Sequence, residues 1–319
     1  MTENQNISVL DLSNPDEIDL RRAAVDFTHA TRQCGFLYVR ISEGEREIIA
    51  AVRRQQRLFF QQQLDAKKDI AIDLNNRGYL GSGEALMAGA KRRDQKEVFF
   101  WGREVPADDP DILAGVPLCG LNQWPKCLPD FKSAVTSYTA LVQRTGELLL
   151  KIIALSLGAS DDFFSKYYER SMLRGQLLRY PTTENHPDQY GVAPHSDFGC
   201  ITLLLQETAG LEVLFPNGEW VAAAPLENTL VVNIGDLLER WSNCRLPSTK
   251  HRVRNTSFES RYSIAMFYDP SPTAVVNPLE LLPDEAALYP PVAASQYILS
   301  RNQGAFDHYK KADDSSQII

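Results

Sequence analysis

Apolar positions follow two different rhythms along this chain. Up to about residue 157 they recur mainly at helical spacing, and from residue 172 they come in short runs broken by turn residues. Residues 7–12 alternate as a strand does. Asn14-Pro15-x-Glu17 then has the form of a helix start, with Asn14 as the cap and Pro15 in the first helical position. Leu20, Ala24, Phe27 and Thr31 continue at helical spacing, and Gly35 ends the helix. Residues 36–39 read as a short buried strand. Ser42-x-x-Glu45 is a capping box for a second helix, whose apolar face runs through Ile48, Val52, Phe59 and Leu64. Arg53-Arg54 and Lys67-Lys68 read as its solvated side. Residues 73–127 are rich in Gly, Pro and polar side chains. Gly81, Gly83 and Gly89, around Leu86-Met87, suit either a mobile, substrate-facing lid or a plain connection. Residues 96–101 read as a strand with Phe100 and Trp101 turned to the core. A long helix is expected over 129–157, with Phe131, Val135, Tyr138, Val142, Leu149 and Ile153 on one stripe and Gly158 closing it.

The second half predicts short strands at 176–180, 200–206, 211–215, 220–223, 229–234, 251–254 and 261–268, with Pro216-Asn217-Gly218 as a turn and a short helix over 237–241. Many close-spaced strands after a helical part suggest an antiparallel double-sheet jelly roll. No Pro/Ser-rich linker divides the chain. The organisation expected is therefore one catalytic domain, 1–319: a mostly helical region at 1–170, a jelly-roll core at 171–270 and a closing segment at 271–319 with a helix near 292–312.

Composition narrows the functional classes. A hydrophobic share of 44% with 23% charged residues is that of an ordinary globular protein with a sizeable core. A net charge of −8 argues against nucleic-acid or anionic-membrane partners, and no apolar run is long enough for a membrane helix. The first residues lack the basic and apolar regions of a secretory signal. Five cysteines at irregular spacing, with no C-x-x-C, argue against structural zinc. They favour a reduced, cytoplasmic setting, in which a Cys119–Cys127 bridge is disfavoured.

The chemistry is concentrated at His195-Ser196-Asp197. In extended backbone an imidazole and a carboxylate two residues apart share a face. One N and one O ligand so placed supply two corners of a 2-His-1-carboxylate triad, which suits non-haem Fe(II) and leaves open coordination positions. Of the five histidines, His251 is the best third ligand, because it stands just before a strand-like alternation. His29, His186 and His308 read as surface or structural residues, with His186 near enough to be a rim residue. Ten positions past His251 come Arg261-x-Ser263, a guanidinium and a hydroxyl on one strand face, fit to receive a carboxylate.

This combination resembles the iron- and 2-oxoglutarate-dependent oxygenases, in the branch that contains isopenicillin N synthase. It rests on His195-x-Asp197, His251, Arg261-x-Ser263 and the pair Tyr180-Pro181, with weaker landmarks at 7–12, 34–39 and 77–79. Arg179 and Leu178 depart from residues frequent in plant relatives at those places. The resemblance implies a distorted double-stranded β-helix, α+β but mainly β, with an N-terminal helical layer and a C-terminal helix. His195, Asp197 and His251 would hold Fe(II), and Arg261, Ser263 and Tyr180 would hold 2-oxoglutarate. Dioxygen would be the oxidant and ascorbate a reductant. Phe267, Asp269 and Phe100 would stand near a small-molecule substrate that is hydroxylated, desaturated or cyclised. Two alternatives stay open: an Fe(II) oxidase of the same branch that uses no 2-oxoglutarate, and a non-catalytic β-barrel binding protein.

Overall fold

The computed structural model describes residues 7–182, 188–255 and 257–309. Their strands form a main sheet of eight strands, a facing sheet of four and a two-stranded ribbon of Val275–Val276 with Val292–Ala293; the strands of the first two matter for the site. In chain order the strands are β1 (Val9–Asp11), β2 (Phe36–Arg40), β3 (Gly78–Leu80), β4 (Glu97–Gly102), β5 (Met172–Tyr180), β6 (Val192–His195), β7 (Ile201–Gln206), β8 (Leu211–Leu214), β9 (Trp220–Ala222), β10 (Thr229–Ile234), β11 (His251–Val253) and β12 (Arg261–Asp269). The main sheet runs β1-β2-β10-β7-β12-β5-β4-β3 and the second β6-β11-β8-β9. Every pairing in the two is antiparallel except β1 with β2. This is the jelly roll expected.

The helices are α1 (Leu20–Thr31), α2 (Arg46–Phe60), α3 (Leu64–Lys68), α4 (Pro110–Leu113), α5 (Phe131–Ser156), α6 (Asp236–Trp241), α7 (Pro278–Leu281) and α8 (Ala294–Ala305). The apolar stripe of α5 is fully buried at Phe131, Val135, Tyr138, Val142, Leu149 and Ile153. It covers the outer face of the main sheet together with α1 and α2. Each such side chain contributes roughly 1.5–3 kcal/mol by leaving water. The helix approaches closely because Gly146 lies against Tyr268; a Cβ there would come 2.4 Å from the Tyr268 ring.

Alternation decides what faces inward. On β12 Ile264 and Met266 join the helix-backed core, and on β4 so do Phe99 and Trp101. Their neighbours Ala265, Val98 and Phe100 join a smaller cluster between the two sheets. Trp101 is thus core, as expected, with its indole N–H on Thr139 Oγ1 at 3.0 Å. Phe100, one residue away, has the opposite face.

Several local expectations are corrected. Residues 15–17 make a single 3₁₀ turn, and α1 begins at Leu20 under a different cap. Asp19 accepts from the Arg21 and Arg22 amides at 3.0 and 3.2 Å, directly ahead of the apolar face. Ser42 caps a short 3₁₀ turn that leads into α2. Leu64 does not extend the α2 face; it opens α3 and is exposed. The region 1–170 also supplies four strands to the main sheet, with β2 between β1 and β10. Parts of the 73–101 stretch face the interior: Met87 is buried in the inner cluster, and Ala85 bridges to Phe306, while residues 91–93 are exposed. All five cysteines are free. His186 lies outside the described residues.

Candidate metal centre

Backbone pairing brings the three expected ligands together. His251 on β11 is the direct cross-strand partner of His195 at the end of β6. Asp197 follows two residues later, where the chain turns toward β7. Asp197 Oδ1 stands 3.7 Å from His195 Nε2 and 3.7 Å from His251 Nε2. The two imidazoles are 4.3 Å apart between ring centres.

The remaining polar atoms of these side chains are already engaged. His195 Nδ1 is 2.8 Å from the Ala193 carbonyl, and His251 Nδ1 is 3.2 Å from the Thr249 carbonyl. Each carbonyl requires an N–H from Nδ1, which leaves a lone pair on Nε2. Asp197 Oδ2 accepts from Thr202 Oγ1 at 2.6 Å and from Asn233 Nδ2 at 2.8 Å. Two ring nitrogens and one carboxylate oxygen lie within 4.8 Å of one another. Burial, followed by the neighbouring His251, holds His195 below the usual imidazole range. Burial opposes ionisation of Asp197, but His251, His195, Thr202 and Asn233 outweigh it and keep the carboxyl below its ordinary range. A neutral His195 and an ionised Asp197 are the protonation states a divalent cation requires. Among the described residues this is the one His/Cys/Asp/Glu group with metal-binding spacing.

Thr202 and Asn233 could have been picked out in the sequence only by their parity on β7 and β10. They carry no motif.

The same cavity holds Arg261, which is 1% exposed. Its Nε donates to the Ala209 carbonyl (3.1 Å), Nη1 to Ser263 Oγ (3.2 Å) and Nη2 to Gln206 Oε1 (3.2 Å). Its Cζ lies 5.0 Å above the Tyr180 ring. Every partner is neutral, and among the described residues no carboxylate pairs with it. Burial draws its pKa below the usual arginine value. A guanidinium this deep ordinarily has a carboxylate beside it, and here its partners are neutral. Gly210, at φ +131°, lets the start of β8 pass: a Cβ there would sit 2.4 Å from the Arg254 carbonyl and 3.1 Å from Arg261 Cδ. Ser263 and Tyr180 are therefore both beside Arg261, as expected, and Gln206 is an additional partner without a sequence signal.

The cavity, about 1030 Å³ and open to solvent, continues past the metal-binding group between walls that include Phe100, Phe267 and Phe306. Asp269 is not on that wall. It is fully buried, accepting from the Cys200 amide at 2.7 Å and from Arg174 Nη2 at 2.6 Å. Instead of facing a substrate, it fixes Arg174, whose guanidinium lies 5.0 Å above the Phe267 ring. His29 is exposed and His308 is 2.9 Å from Asn76 Oδ1, both away from the metal group.

Comparison with known proteins agrees with this geometry. The sequence profile of the 2OG-Fe(II) oxygenase superfamily matches residues 171–270, and that of the non-haem dioxygenase in morphine synthesis N-terminal region matches 7–127. The 2-oxoglutarate-Fe(II) type oxidoreductase hxnY of Emericella nidulans is 33% identical over 87% of this chain and 84% of its own. The structure of a Neurospora crassa protein in complex with alpha-KG and thymine superposes with a TM-score of 0.80 at 28% identity, covering 93% of this chain and 97% of that one. JOX2 in complex with 2OG, Fe and JA gives a TM-score of 0.80 at 27% identity, covering 96% and 88%.

Proposed function

Because this chain belongs to the 2OG-Fe(II) oxygenase superfamily, we propose that His195, Asp197 and His251 hold the Fe(II) and that Arg261, Ser263 and Tyr180 hold 2-oxoglutarate. The enzyme is a 2-oxoglutarate- and Fe(II)-dependent dioxygenase. One observation carries the residue assignment. Three ligand atoms converge in a cavity that also contains a buried guanidinium with no acid partner among the described residues.

When bound, iron activates dioxygen, coupling the oxidative decarboxylation of 2-oxoglutarate to succinate and CO₂ with a two-electron oxidation of the substrate. The protein's own residues bind and orient. Nδ1–H bonds to the Ala193 and Thr249 carbonyls hold the two imidazoles in the ligating tautomer. Thr202 and Asn233 restrict Asp197 to one free oxygen, which leaves coordination positions for the co-substrate. Arg261 receives the far carboxylate of 2-oxoglutarate, with Ser263 beside its fork and the Tyr180 ring beneath it. The apolar wall beyond the metal group keeps water from the reacting carbon.

The substrate in this reading is a small organic molecule, and hydroxylation, desaturation and ring closure are all within reach of the same site. The unit is a single catalytic domain over 1–319, a reading supported by the N-terminal strands inside the main sheet. Five free cysteines support a reduced, cytoplasmic setting. No described helix is long and apolar enough to cross a membrane. The test is succinate release from 2-oxoglutarate by Fe(II)-loaded protein in air, run on wild type, Asp197→Ala and Arg261→Ala. Succinate from wild type alone supports the assignment. Equal succinate from Asp197→Ala refutes the metal assignment, and equal succinate from Arg261→Ala at limiting 2-oxoglutarate refutes the receptor.

A further inference from the structure

Beyond the metal group, the charges on the cavity wall are all matched. Arg174 is paired with Asp269, and Lys96, 4% exposed, has its ammonium 3.1 Å from Asp94 Oδ2. Asp94 is itself buried and accepts the Ala193 amide at 3.0 Å through its other oxygen. Nearer the metal, the proposed ligands also balance. The two positive charges of the ion, less one for Asp197 and plus one for Arg261, equal the two negative charges of 2-oxoglutarate. A charged substrate would therefore bring an unmatched charge next to groups that already balance. An anion at Lys96 would also meet the Asp94 carboxylate behind it.

Hydrogen-bond donors, by contrast, are left over. Lys96 has three N–H groups, and its one polar partner among the described residues is Asp94. Asn302, on α8 and 3% exposed, lines the cavity with an Nδ2 that has no acceptor. The Tyr309 hydroxyl beside it donates to Asn76 Oδ1 at 3.0 Å. Phe306 is close to both residues: Lys96 Nζ is 5.9 Å from its ring centre, and its backbone amide bonds the Asn302 backbone carbonyl at 2.9 Å. Phe306 meets Phe100 edge-on at 5.9 Å, so flat apolar surface flanks the donor pair.

We propose that the substrate end is a neutral-acceptor subsite. It takes an uncharged, flat molecule whose carbonyl oxygen is bound by Lys96 Nζ and Asn302 Nδ2 and whose ring lies against Phe100 and Phe306. This rests on the co-substrate assignment above, because the charge balance includes 2-oxoglutarate. Asp94 and Lys96 work here as a pair, the carboxylate cancelling the charge while leaving the ammonium donors directed at the ligand. Burial raises the pKa of Asp94 despite Lys96, consistent with a space that disfavours net charge.

The experiment measures binding, not turnover. Anaerobic protein loaded with Fe(II) and 2-oxoglutarate is titrated calorimetrically with benzamide, benzoate and benzamidinium, three probes of nearly one shape with charges of zero, minus one and plus one. Wild type is compared with Asn302→Ala and with the double variant Lys96→Met/Asp94→Asn, which removes both charges and keeps an oxygen for the Ala193 amide. The expected result is benzamide bound at least tenfold tighter than either ion, with a fivefold or greater loss in each variant, while 2-oxoglutarate affinity and melting temperature stay near wild type. Tighter binding of benzoate or benzamidinium, no saturable benzamide binding, or benzamide binding indifferent to both variants overturns the subsite. Failure of wild type to bind 2-oxoglutarate in the same cell overturns the co-substrate assignment first, and the charge argument with it.

Discussion

The two ends of the cavity are built from similar side chains and satisfied in opposite ways. At one end Arg261 is buried against neutral partners alone, and three ligand atoms face one another. At the other, Arg174 and Lys96 are just as much part of the wall, yet each has a buried carboxylate. Depth in the protein does not separate the two guanidinium groups; the presence of a counter-charge does. A buried charge without a partner marks where a charged ligand belongs, and a matched pair marks where one is excluded.

Removing or adding one carboxylate at a time breaks this contrast most directly. Asp197→Ala has the largest expected effect on function. It should abolish both stoichiometric Fe(II) retention, read by metal analysis after desalting, and succinate formation. Asp269→Asn should cost the most stability, about 3–5 kcal/mol by denaturant unfolding, since it strands a buried guanidinium. The surviving protein should gain benzoate affinity at the substrate end. Arg261→Ala should weaken 2-oxoglutarate binding by roughly 10- to 150-fold, the equivalent of about 1.5–3 kcal/mol for a charge-assisted bond. It should cost less stability than Asp269→Asn, because the acceptors it strands are neutral and no carboxylate loses its partner. Thr202→Val should be mildest, weakening Fe(II) retention about tenfold, at the low end for an outer hydrogen bond to a metal ligand.

What could be read from the sequence depended on how local the determinant was. His195-x-Asp197 and Arg261-x-Ser263 were legible because two-residue spacing on extended chain puts both members on one face. The α5 stripe was legible because helical period and core contact coincide. Asp269 illustrates the limit: its parity on β12 matches that of Phe267, yet its direction is set by Arg174 and by the Cys200 amide, distant in sequence. The pairing of β2 with β10 was hidden for the same reason, since a strand of five residues does not announce its neighbour. Asp19 displaced Asn14 as the α1 cap because both are good cap residues and only packing of the following face decides between them. Thr202, Asn233, Gln206 and Lys96 belong to ordinary strand text. Their roles come from the fold, which places them behind or beside groups that the motifs do identify.

The most direct test is an anaerobic absorbance titration of the Fe(II)-loaded protein with 2-oxoglutarate. Coordination of the keto acid to iron beside Arg261 predicts a visible charge-transfer band that saturates in wild type, needs far more 2-oxoglutarate in Arg261→Ala, and is absent in Asp197→Ala. Tight Fe(II) binding by wild type with no band at any 2-oxoglutarate concentration would contradict the assignment and return the site to the oxidases that do without this co-substrate.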